Sequence, residues 1–133
     1  YGGGDQDALA ALESLTRDGM SAFNRYTPDA SGVDYFSYTS YITFPDIIQH
    51  PLMGILQPAC AAGGLFYGQG ISNDGLVPVS SAKWGTYKGT PNWNWYATGI
   101  DHLQITNTLY SGQAYFDVEG FYLKMAKNAK NSQ

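Results

Sequence analysis

Strand signals are scarce in this chain, and their scarcity limits what it can fold into. Only two runs have the aromatic and β-branched make-up of a strand. One is 34–43, with Tyr35, Phe36, Tyr38, Tyr41 and Ile42; the other is 93–98, with Trp93, Trp95 and Tyr96. Helical patterns surround them. Asp5 is a favourable N-cap, and Ala8, Leu9, Leu12, Leu15, Met20 and Phe23 follow at near-helical spacing, which predicts an amphipathic helix over 6–25. A short helix or turn is expected at 52–56 and a short surface helix at 79–87. A second amphipathic helix is expected at 114–128, with Tyr115, Val118, Tyr122, Met125 and Ala129 on one stripe. Strands alternating with helices predict an α/β fold with a parallel sheet. Two strands make a poor sheet alone, because their outer edges stay unpaired. The sheet is therefore expected to be completed by an upstream segment or a second chain. No internal repeat or linker divides the sequence, so 1–133 reads as part of a single domain.

Charge removes several function classes. The net charge is −4 and the pI about 4.8, which excludes a phosphate-tracking surface and hence nucleic acid. Lys124, Lys127 and Lys130 are the one basic cluster, and they suit the last turns of a C-terminal helix. No apolar run is long enough to span a bilayer. The chain opens on Tyr1, which leads us to expect a removed leader or a cut from something longer. Cys60 stands alone among Ala59, Ala61 and Ala62. Two readings stand for it: a packed free thiol, or a disulfide to a cysteine outside this sequence.

The chemistry lies in two loops. Asn73-Asp74-Gly75-Leu76-Val77-Pro78 places an Asp in a Gly-closed turn, and loop 99–106 carries His102. In parallel α/β sheets the ligand site lies beyond the carboxyl ends of the strands, where such loops collect. An Asp followed by a His matches the last two members of an acyl-transfer triad, in the order Ser, Asp, His. His102 is the candidate general base and acid, and Asp74 the residue that orients it. Leu76, Val77, Leu103 and Thr106 adjoin the pair and suit either an acyl chain or the core. Asp34 and Asp46 are reserve candidates for the acid. Asp101 is set aside, because adjacent side chains in a loop diverge. No Gly-x-Ser-x-Gly elbow occurs, and Ser21 in Gly19-Met20-Ser21-Ala22-Phe23 lies within a helical stripe. The chain thus reads as the second half of an enzyme. Bland readings stand beside this one. Asn-Asp-Gly is a strong turn former without any chemistry, and His102 then becomes an ordinary loop histidine. A non-catalytic sugar-binding module using Trp84, Trp93 and Trp95 predicts an all-β fold. An inactive hydrolase relative used for assembly is the third alternative.

Three segments carry a resemblance. Asp5-Gln6-Asp7-Ala8-Leu9-Ala10-Ala11-Leu12, Asn73-Asp74-Gly75-Leu76-Val77 and His102-Leu103 occur in the order found in secreted triacylglycerol lipases of the α/β-hydrolase fold. The chain resembles above all the bacterial group that folds with a dedicated chaperone. The resemblance implies a secreted, serine-dependent lipid ester hydrolase with Asp74 and His102 in its triad. Its Ser and oxyanion donors would come from an upstream segment or partner chain, and on the disulfide reading Cys60 would tie that chain to this one. Two departures are visible. Those lipases hold a structural calcium through two carboxylates, where this chain has Gln104 and, as nearest counterpart, His50. They also carry a cysteine just after the Asp segment, where this chain reads Pro78-Val79-Ser80-Ser81. No metal or cofactor is expected here.

Overall fold

The computed structural model describes residues 13, 14, 16–91, 99–108 and 116–131. The predicted strand 93–98, with Trp93 and Trp95, lies outside the described residues, as do 1–12, Leu15 and Tyr115. The chain divides into two compact units, Tyr1–Val33 and Asp34–Gln133.

The first unit contributes helix α1, Arg17–Tyr26. Residues 13 and 14 are also helical, but Thr16 between them and α1 has an extended backbone. The helix predicted over 6–25 is therefore not continuous. A Thr side chain offers the backbone a local acceptor that competes with helix propagation. Here its Oγ1 accepts the N–H of Gly19 at 3.1 Å and starts a new helix. Asp18 in the first turn and Arg25 in the last complement the dipole.

The second unit holds the other described elements. Strand β1 is Phe36–Ser37, helix α2 is Met53–Phe66 and strand β2 is Thr86–Tyr87. The short helix α3 is His102–Ile105, and helix α4 is Val118–Lys130. The two strands pair in parallel, with Phe36 opposite Thr86 and Ser37 opposite Tyr87. Helices with a parallel strand pair are the makings of an α/β fragment.

Four local expectations are corrected. The strand expected at 34–43 is two residues long; beyond it the Lys88 N–H still donates to Ser37 O and the Thr39 N–H to Gly89 O, and the partner run then reaches Pro91, which has no N–H to donate. The run then changes partners. Ile42 forms an antiparallel bridge with Gly99, and Tyr41 accepts the N–H of Ile100 at 3.0 Å. Helix α2 is far longer than the expected turn at 52–56 and runs through Pro58, which removes one intrahelical N–H donor. Ala59, Ala61, Ala62, Leu56 and Leu65 supply the propensity to continue past it. The expected helix at 79–87 is a single turn on the carbonyl of Pro78, which accepts from Ser81 and Ala82, and the chain then enters β2. The loop expected at 99–106 contains α3.

The core lies around α3 and α4. Ile100, Phe116 and Val118 are buried together, with Ile105 and Phe121 packed against them. Burying each such side chain contributes roughly 1.5–3 kcal/mol. Tyr38 meets Phe121 edge-on with centroids 5.5 Å apart, and its hydroxyl accepts from Asn128 at 2.8 Å. The Tyr122 hydroxyl donates to the carbonyl of Ile105 at 3.0 Å. Helix α4 thus braces the end of α3. Asp117 caps its start, and Lys127 and Lys130 fall in its last turn as expected.

Candidate active site

Residues 40–42 form a spine between the two loops of interest. The Ile42 N–H donates to Asn73 O at 2.9 Å, while Tyr41 and Ile42 meet Ile100 and Gly99 on the other side. The Asp74 loop and the His102 helix are therefore held side by side. The turn at Asp74 is built by its own polar groups. Asn73 Oδ1 accepts the Gly75 N–H at 2.8 Å, and Asn73 Nδ2 donates to the carbonyl of Ile71 at 2.8 Å. Gly75 has φ +104°, and a Cβ there would collide with Met53 Sδ. Only glycine fits both the backbone and the space.

Asp74 and His102 are joined twice. The His102 N–H donates to the Asp74 carbonyl at 2.8 Å. Its ring Nδ1 lies 2.9 Å from Asp74 Oδ2. An ionised carboxylate only accepts, so Nδ1 carries the proton. In the neutral ring Nε2 then keeps its lone pair, and it has no hydrogen-bond partner among the described residues. The other carboxylate oxygen, Oδ1, accepts the N–H groups of Leu76 at 3.0 Å and Val77 at 2.8 Å. Ser40, itself buried, approaches Oδ2 at 3.4 Å. Asp74 is 6 % exposed, whereas the His102 side chain is 30 % exposed. The pair thus has a buried, pinned carboxylate and an imidazole whose far nitrogen is open.

A second pair lies next to it. His50 Nδ1 donates to Asp101 Oδ2. His50 is 8 % exposed and Asp101 2 % exposed. The two pairs are not equivalent. The Asp101 carboxylate also caps α3, since its Oδ1 accepts the Gln104 N–H at 2.8 Å. In this pair the His precedes the Asp in sequence, opposite to the triad order.

The remaining candidates sort themselves by position. Asp46 Oδ1 accepts the N–H groups of Ile48 and Gln49, Asp34 is exposed, and among the described residues the two histidine rings pair with Asp74 and Asp101 instead of these carboxylates. Leu76 is exposed, and Val77 and Leu103 are half-buried. The Thr106 hydroxyl donates to His102 O at 2.6 Å and lies 2.7 Å from the Thr108 hydroxyl, so it helps end α3. Cys60 is a half-buried free thiol on α2. Burial, and secondarily the Asp74 carboxylate, push its pKa up. Ser40 and the His50–Asp101 pair went unread in the sequence. One signal was present: Asp101-His102-Leu103-Gln104 has the capping-box spacing.

The calcium implied by the resemblance does not fit these side chains. His50 offers a nitrogen already committed to Asp101, and Gln104 Oε1 accepts the Asp101 N–H at 3.0 Å. A hard cation needs free oxygen ligands. Among the described residues no helix is long and apolar enough to cross a membrane.

No family model matches the chain. No solved structure matches it. Triacylglycerol lipase 2 of Saccharomyces cerevisiae is 33 % identical to it over 95 residues, which cover 70 % of this chain. The chain is similar to a triacylglycerol lipase. It spans 24 % of that relative's length. The likeness supports kinship with lipid ester hydrolases, through a yeast relative. Four helices among the described elements, together with that likeness, run against the all-β expectation of a sugar-binding module.

Proposed function

We propose that this chain supplies the base and acid half of a Ser-His-Asp lipid ester hydrolase. The observation that carries the reading is the Nδ1 to Oδ2 hydrogen bond of 2.9 Å between His102 and Asp74, with Nε2 left open. The nucleophilic Ser is supplied by an upstream segment or partner chain, since no elbow sequence occurs here. Its Oγ attacks the ester carbonyl while His102 Nε2 takes the hydroxyl proton. The resulting imidazolium faces Asp74 Oδ2, which stabilises it without taking the proton. Collapse of the tetrahedral intermediate breaks the bond to the alcohol, and Nε2 returns the proton to that oxygen. Water then repeats both steps on the acyl-enzyme and releases the acid.

Leu76, Val77 and Leu103 adjoin the pair and suit the acyl chain. The finer kinship proposed is with secreted α/β-hydrolase lipases resembling the chaperone-dependent bacterial group. It rests on Asn73-Asp74-Gly75-Leu76-Val77 and His102-Leu103.

The test is mutation within the complete protein. His102→Ala is expected to lower ester turnover by ~10³-fold or more with the fold retained, because base and acid are lost together. Asp74→Asn is expected to be comparably severe, because an amide nitrogen facing Nδ1 favours the wrong tautomer. Near-native turnover in Asp74→Asn, combined with its loss in Asp34→Asn or Asp46→Asn, would refute the acid assignment.

A further inference from the structure

We propose that His50 is a positioning residue for His102, acting through the buried carboxylate of Asp101. The inference rests on the reading of His102 as the base. Helix α3 has four residues, too few to hold its own conformation. Its geometry depends on its cap. Asp101 Oδ1 accepts the Gln104 N–H at 2.8 Å, and Gln104 Oε1 accepts the Asp101 N–H at 3.0 Å. That reciprocal box sets the phase of the helix on which His102 is the first residue. A helix turns about 100° per residue, so a small change of phase swings the imidazole away from Asp74.

One carboxylate oxygen remains for another partner. Asp101 is almost fully buried, and an unpaired buried oxygen would leave the cap free to rotate or to admit water. His50 Nδ1 donates to that oxygen, Oδ2. His50 is itself fixed. Its N–H donates to Asp46 O at 2.8 Å, and its carbonyl accepts the Met53 N–H at 2.9 Å, at the start of α2. Met53 is buried, with its sulfur under Gly75, the residue after Asp74. The path from Asp74 to His102, Asp101, His50, Met53 and back to Gly75 is therefore closed. His50 reaches no reacting atom in this path; it anchors the residue that anchors the base.

Two substitutions in the complete protein separate this role from simple packing. An Asn amide nitrogen overlays the His Nδ1 position, while a Gln amide nitrogen overlays Nε2. His50→Asn is expected to keep kcat within about threefold of the parent. His50→Gln is expected to lower kcat by about 10²-fold with KM little changed, the penalty of a misaligned reacting group. The Nδ1–H proton signal of His102 should persist in His50→Asn and broaden in His50→Gln. Equal kcat in the two variants, or a loss of kcat with the His102 signal intact, would overturn the proposal. His102→Ala, measured alongside, keeps the two readings apart. Full activity in His102→Ala refutes the base assignment, whereas loss there together with equal His50 variants refutes only the positioning role.

Discussion

The two carboxylate oxygens of Asp74 have different partners, and the difference matters for chemistry. Oδ1 is pinned by the Leu76 and Val77 N–H groups, so the carboxylate cannot rotate away from His102. Oδ2 is left to accept from Nδ1, and a charge-assisted bond of this kind contributes about 1.5–3 kcal/mol. The same negative charge reaches Cys60. Burial raises the thiol pKa most, and Asp74 raises it further, because both disfavour the thiolate. The reduced protein is therefore expected to react with iodoacetamide only at higher pH than an unstructured cysteine peptide does. In Asp74→Asn the rate profile should move to lower pH, since one negative charge is gone. It should stay above the peptide, since burial remains. Rate profiles of both proteins against pH check this, and an unmoved profile in Asp74→Asn would show that the carboxylate does not act on the thiol.

Elements were legible where one local signal dominated. The helix expected at 114–128 is present as Val118–Lys130, and Val118 of its expected stripe is buried, but Phe121 packs on the core while Tyr122 and Ala129 of that stripe are exposed. The Asp74 turn could be read because Asn73, Asp74 and Gly75 each have a strong and compatible turn preference. The length of α2 could not be read, because Pro58 argues for a break that the surrounding Ala and Leu residues override. Strand 34–43 is shorter than expected for the opposite reason: its residues favour extension, but pairing needs a neighbour, and after Gly89 O accepts the Thr39 N–H the partner run reaches Pro91, which has no N–H. The approach of His102 to Asp74 depends on the spine at 40–42, a tertiary contact that no local spacing encodes. His50 and Asp101 meet across 51 positions, against 28 for Asp74 and His102, and nothing local encodes their contact, although the capping box beside them is visible. Gly75 tests how tightly these elements are coupled. Gly75→Ala adds a Cβ against Met53 at φ +104°, so strain and overpacking together should cost roughly 2–5 kcal/mol. Gly68→Ala, at φ +69° with open space around it, should cost about 1 kcal/mol. Urea midpoints of the two variants decide it, and equal midpoints would mean that α2 yields freely beneath the Asp74 turn.

At the scale of the whole molecule, polar groups are unusually well placed and apolar groups unusually open. Among the described residues, Thr39, Ser40, Asn73, Asp74, Asp101 and Gln104 are buried, while Ile48 is 91 % and Phe66 82 % exposed. Ile55, Leu65 and Phe44 are exposed with them. Burying such side chains is worth roughly 1.5–3 kcal/mol each, so a partner that covers them gains a large driving force. Among the described residues, the short parallel pair leaves strand edges as well. Both observations favour the proposal that the Ser-bearing segment packs on this chain and completes its sheet. The isolated 133-residue chain is then expected to bind a hydrophobic dye strongly and to show no turnover of a soluble short-chain ester. The complete protein should bind less dye per chain and hydrolyse the ester, with activity lost on treatment with a serine-directed phosphonate. Non-reducing electrophoresis of the complete protein, if it consists of two chains, adds a covalent test. Co-migration that reductant abolishes would assign Cys60 to an interchain disulfide, worth on the order of 2–4 kcal/mol, and separate migration would leave it a packed thiol. Phosphonate-sensitive turnover by the pure 133-residue chain is the decisive contrary result, because it would place a reactive Ser among residues that contain no elbow.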